Sequence, residues 1–134
     1  MFVRVLGPPY IDAIRALEKI ALDTPEVCIM NTIISRSIPD YIAQDIGFAP
    51  VRSPTGPQDP RIAGWASSYF SSSEVSVPVE RCVNIISRSG ESLGEYDFFF
   101  EWFKDPTAEE LNSLLEKIDN ALTPLGCRYT ITTK

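Results

Sequence analysis

The sequence predicts an α+β fold of ferredoxin-like type: a small antiparallel sheet with two main helices on one face, plus a reduced insertion. Three observations carry this. Extended segments with β-branched or aromatic content recur at 2–6, 27–34, 96–103 and 128–132. Apolar stripes of helical period occupy 12–22 and 107–122. The order is strand, helix, strand, insertion, strands, helix, strand, which places helices on one side of a sheet built from split βαβ units.

Residues 2–6 alternate around Arg4 and end at Gly7-Pro8-Pro9, a strand followed by a forced turn. Over 12–22 Ala13, Leu17, Ile20 and Ala21 share one helical face, with Asp12 as the expected cap and Pro25 as the stop. Residues 27–34 contain Val, Ile, Thr and Met without a breaker and predict a strand, which Asn31 weakens. Ser37-Ile38-Pro39-Asp40 has the form of a helix start with Ser37 as cap. Ile38, Ile42 and Ile46 line one face, and Gly47 supplies the exit.

Between 52 and 74, Pro54, Pro57, Pro60 and a group of serines predict an irregular excursion. Ile62, Trp65, Tyr69 and Phe70 predict that this excursion docks on the rest of the molecule. Residues 75–79 and 81–86 are expected to be extended, with a turn over 90–94. In 96–103, Tyr96, Phe98, Phe100 and Trp102 form an aromatic face that alternates with Asp97, Phe99, Glu101 and Phe103. Thr107 and Glu110 have capping-box spacing ahead of the stripe Leu111, Leu114, Leu115, Ile118 and Leu122, which Pro124 and Gly126 end. Residues 128–132 return as the last strand, with Tyr129 and Ile131 on one face.

The 134 residues suffice for one domain with a core, expected to span 1–134 with the reduced insertion at about 53–90. A net charge of −6 with scattered basic residues argues against direct nucleic-acid or anionic-membrane binding. With no histidine, imidazole-based catalysis and metal ligation are excluded. The three cysteines, Cys28, Cys82 and Cys127, are widely spaced and form no C-x-x-C pair, so they are expected to be reduced thiols without a metal. No apolar run approaches the roughly 18 residues of a membrane span, and no secretory signal is evident, so an intracellular protein is expected. No phosphate-binding glycine loop or paired-carboxylate spacing occurs, and neither a catalytic residue nor a cofactor is predicted. The aromatic face is core rather than a base-stacking platform, because no Lys or Arg interleaves it. The carboxylates Glu109, Glu110, Glu116 and Asp119 belong to a solvated helix face.

Ala16-Leu17-Glu18-Lys19-Ile20-Ala21-Leu22-Asp23-Thr24-Pro25-Glu26-Val27-Cys28-Ile29 resembles the first helix and following strand of the RNA polymerase alpha subunit and third-largest-subunit family. Residues 37–51 resemble that family's Asp-Glu-x-x-Ala-His-Arg-Leu-Gly-Leu-Ile-Pro-Leu stretch, with Asp40, Ala43, Gly47 and Pro50 in register. Residues 95–103, then Thr107-Ala108-Glu109-Glu110-Leu111, resemble the strand and helix that close its dimerisation domain. The three blocks are collinear and cover about half the chain. Where the family has paired arginines this chain has Glu18 and Lys19, and the family's inserted domain shrinks to about 53–90 without its cysteine cluster.

The resemblance implies a minimal, divergent, non-catalytic assembly subunit of a multisubunit DNA-directed RNA polymerase, of the kind encoded by a virus or plasmid, acting in cytoplasm or nucleus. It implies an alpha-like partner, in a homo- or heterodimer, bound through Leu17, Leu111, Leu114, Leu115, Ile118 and Leu122. The large subunits would dock at Pro39, Asp40, Gln44 and Arg52. The same fold also suits a free-standing dimeric ligand-binding or regulatory domain. A cysteine enzyme ranks last, since only Cys82 and Cys127 have an adjacent arginine.

Overall fold

A computed structural model describes residues 1–37, 60–70, 81, 84–87, 89 and 92–133. The helix expected to begin at Ser37, the docking residues Pro39, Asp40, Gln44 and Arg52, the strand expected over 75–79, and Cys82 lie outside them, except Ser37 itself.

The described elements are β1 (Phe2–Val5), α1 (Tyr10–Leu22), β2 (Val27–Asn31), α2 (Thr32–Ser37), α3 (Pro60–Phe70), β3 (Phe98–Trp102), α4 (Ala108–Leu122), a short 3-10 turn (Thr123–Leu125) and β4 (Tyr129–Thr132). The sheet order is β2-β3-β1-β4 with every neighbouring pair antiparallel. Hence β1 and β2 run parallel with β3 between them, and β3 and β4 run parallel with β1 between them. This is the interleaved double split-βαβ order of a ferredoxin-like fold, as the element order predicts.

Register fixes which side chains meet. Val3 pairs with Phe98 and with Ile131, and Ile29 with Phe100, so these share one face of the sheet. Val3, Phe98, Ile29 and Phe100 are fully buried there, with Ala13, Leu17 and Ile14 of α1 and Leu114, Ile118 and Leu122 of α4 in the same core. The other face carries Phe2, Phe99 and Met30, all buried, and the exposed Arg4. The Phe2 ring lies 5.3 Å from Phe99 and 5.1 Å from Tyr96. In the aromatic face, Phe98 and Phe100 are fully buried and Tyr96 and Trp102 pack half-buried against the buried cluster, so that face is core, as its lack of interleaved cations suggested.

Several boundaries differ from expectation, each for a local reason. α1 starts at Tyr10 rather than Asp12. Pro9 stands extended at its N-cap, and Asp12 falls in the first turn instead of capping. The predicted strand over 27–34 stops at Asn31, because the Asn31 side-chain carbonyl accepts the Ile34 N–H at 2.8 Å and turns the chain into α2. Residues 60–70 are helical where an irregular excursion was expected: Trp65, Ala66, Tyr69 and Phe70 repeat at helical spacing, and Ala66 and Phe70 are buried. Among the described residues of 81–86 the extended expectation holds near Ile86, which bridges Ile29 in parallel along the outer edge of β2, whereas Arg81 is helical. α4 forms as read, with Thr107 and Glu110 exchanging both capping-box bonds and Gly126 exiting at φ 71°.

Candidate functional site

The helix layer holds the residues expected at a dimer interface. Leu17, Leu114, Ile118 and Leu122 are buried within the chain's own core, while Leu111 and Leu115 on α4 stay half-buried and packed against its margin. The stripe read as one surface thus divides into an interior row and an outer pair, because successive turns of α4 face the sheet and its rim. The candidate large-subunit contacts fall outside the described residues.

Glu18, noted in the sequence only as a departure from paired arginines, is 3% exposed. It sits one turn after Ile14 and one turn before Ala21, on the face of α1 that packs inward. Its carboxylate accepts from Arg15 Nη1 at 2.9 Å, from Asn31 Nδ2 at 3.0 Å and from the Tyr69 hydroxyl at 2.6 Å. The Arg15 guanidinium also stacks over the Tyr69 ring at 5.0 Å, and Trp65 stacks on Tyr69 with centroids 5.0 Å apart. Burial, then the hydrogen bond to Glu18 and its charge, hold the Tyr69 hydroxyl well above the usual phenol range. One cluster thereby ties α3 to α1 and β2. An acid among apolar positions of an amphipathic helix was the signal that could have revealed it.

Arg81, unlike the exposed Arg15, is a buried cation. Its Nη2 donates to the carbonyls of Ala21 at 2.6 Å, Thr24 at 3.1 Å and Val27 at 2.6 Å, gathering acceptors where α1 ends and β2 begins. Its Nη1 meets Asn84 Oδ1 at 3.0 Å. At the opposite end of the sheet Tyr10 reaches Thr32 Oγ1 at 2.5 Å and Asp97 Oδ1 at 3.2 Å, and Asp97 also accepts the Val5 N–H at 2.7 Å. Desolvation is the main cause that raises the Tyr10 hydroxyl pKa. These side chains serve the fold, and none is poised beside a nucleophile.

An open cavity of about 570 Å³ lies where β1, the end of β3 and the start of α4 meet, lined by Phe2, Phe100, Trp102, Leu111, Glu101 and Asp105 among others. Glu101 Oε1 accepts from the hydroxyls of Ser87 at 2.7 Å and Ser89 at 2.5 Å. Cys28 and Cys127 are buried, and burial pushes the Cys127 thiol up, opposite to the shift a nucleophilic cysteine needs. Among the described residues no group of three or more Cys, Asp or Glu side chains could hold a metal ion. No helix there is long and apolar enough to cross a membrane.

No family model, curated protein or solved structure matches this chain.

Proposed function

We propose that this chain is a non-catalytic assembly subunit of a multisubunit DNA-directed RNA polymerase, acting inside the cell. One observation supports the reading: two of the three alpha-like sequence blocks fall, in order, on a helix with its following strand and on a strand with its following helix, the middle block lying outside the described residues. Residues 16–29 occupy α1 and the start of β2, and residues 95–111 occupy β3 and the start of α4. The two helices lie together on one sheet face, and Leu111 and Leu115 remain half-buried on α4. The assignment asks the chain for contact surface only, since nucleotidyl transfer belongs to the large subunits. Its partners are an alpha-like chain at the helix layer and the large subunits at Pro39, Asp40, Gln44 and Arg52. Its net charge of −6 suits protein contacts rather than direct contact with nucleic acid.

Capture of the large polymerase subunits from the native source by the tagged full chain tests the assignment. Asp40→Ala with Gln44→Ala is expected to weaken capture severalfold while thermal stability stays within about 0.5 kcal/mol. Undiminished capture by the double variant, or no large subunits bound by the wild type, sinks the reading. A second reading, a free-standing ferredoxin-like dimer that binds a small ligand, is favoured by the cavity lined by Glu101, Asp105 and Trp102. It gains weight when no large subunit is captured.

A further inference from the structure

The two edges of the sheet are finished differently. Along the outer side of β2 the Ile29 N–H donates to the Ile85 carbonyl and the Ser87 N–H to the Ile29 carbonyl, both at 2.7 Å, so that edge is covered. β4 is the last strand at the other edge, and no described segment pairs with its outer side. Its inner side follows the register Val5↔Tyr129, Arg4↔Thr130, Val3↔Ile131 and Phe2↔Thr132, continued by the Leu6 N–H to the Arg128 carbonyl at 2.8 Å. In an antiparallel ladder, hydrogen-bonded pairs alternate with non-bonded ones. Leu6 with Arg128 is a bonded pair, so Arg4 with Thr130 and Phe2 with Thr132 are bonded too. The N–H and C=O groups of Tyr129 and Ile131 therefore point away from β1, on the side of β4 where no described strand pairs. Tyr129–Thr132 carries no proline, glycine or charge, the devices that ordinarily blunt such an edge.

We propose that two copies of this chain join edge to edge through β4, antiparallel, about a two-fold axis at Thr130. That register places Tyr129 opposite Ile131 of the second copy, and Ile131 opposite its Tyr129. Both residues are half-buried in one chain, and aromatic with β-branched is a favoured cross-strand pair. All four outward backbone groups are then matched, and Thr130, exposed in the single chain, meets Thr130. Moving the axis to Tyr129 would set Ile131 against Cys127, and moving it to Ile131 would set Tyr129 against Thr133, so the pairing at Thr130 is the best matched.

Charge permits it as well. Arg128 would face Thr132, and the two Arg128 would stand about 14 Å apart along the strands, beyond the screening length of about 8 Å at physiological salt. The Tyr129 hydroxyl donates to Asp119 Oδ1 at 2.7 Å, which puts α4 beside this edge. Leu115, one turn before Asp119 and half-buried, adds apolar area to that flank. The pairing stands on the sheet edge and does not rest on the polymerase reading.

Sedimentation of the full chain across a concentration series tests it, with Thr130→Lys, Thr130→Glu and their equimolar mixture. Wild type is expected to dimerise. Each variant puts like charges at the axis and should weaken association about tenfold, whereas the mixture, Lys facing Glu, should recover it. Amide exchange in the wild type needs no variant: the Tyr129 and Ile131 amides should gain protection as the dimer forms. A wild type that stays monomeric throughout overturns the proposal. So does a dimer that neither variant weakens and that leaves those amides unprotected, which would move self-association to the helix layer and leave the assembly reading standing.

Discussion

Glu18 and Lys19 are neighbours in sequence with opposite fates. Glu18 is buried under three donors, whereas Lys19 is exposed. Glu18→Ala would leave the Asn31 amide and Tyr69 hydroxyl without their buried acceptor and should cost about 2 kcal/mol. Lys19→Ala should stay within about 0.5 kcal/mol. Urea unfolding midpoints of the two variants check this contrast, and equal midpoints would refute it. Tyr129 gives a pH test. Burial, followed by the hydrogen bond to Asp119 and its charge, pushes its hydroxyl pKa from 10.0 up to about 12. Because the folded value is the higher one, the unfolded chain loses its proton first as pH rises. The contribution is complete below about pH 10 and is lost as pH climbs toward about 12. Tyr129→Phe should flatten the decline in stability across that window, by a small amount because the ring is only partly buried. Thermal melts of dilute protein from pH 9 upward measure it.

Elements were legible in proportion to how local their causes are. α4 could be read to the residue, because cap, box, stripe and glycine exit all lie within its own sequence, and Thr107→Ala should cost about 1 kcal/mol, measured as a shift in urea midpoint. An unchanged midpoint would mean that packing alone holds the helix start. The end of β2 was not legible. It depends on one side chain, Asn31, which donates to Glu18 on α1 while accepting the Ile34 amide. α3 was hidden differently, since its helical spacing of Trp65, Ala66, Tyr69 and Phe70 was present among prolines and serines whose composition argued for a loop. The contacts that hold Tyr69 in this pattern come from Glu18 and Arg15, far away in sequence.

At the scale of the whole molecule, the strand order followed from element order alone, because interleaved split βαβ units leave few other ways to cover one face of four strands. The candidate surface was less legible, since one apolar stripe encodes both core and rim, and sequence period does not say where the neighbouring helix ends. Ile118→Asp is accordingly expected to unfold the chain, by placing an unpaired carboxylate in the core. Leu115→Asp should keep the native circular dichroism while losing association with the helix-layer partner. If Leu115→Asp also unfolds the chain, α4 has no free flank.

Tyr69 is fastened to Glu18, and Arg81 to the carbonyls of Ala21, Thr24 and Val27, so a change that frays the C-terminal half of α1 would loosen α3 and Arg81 together.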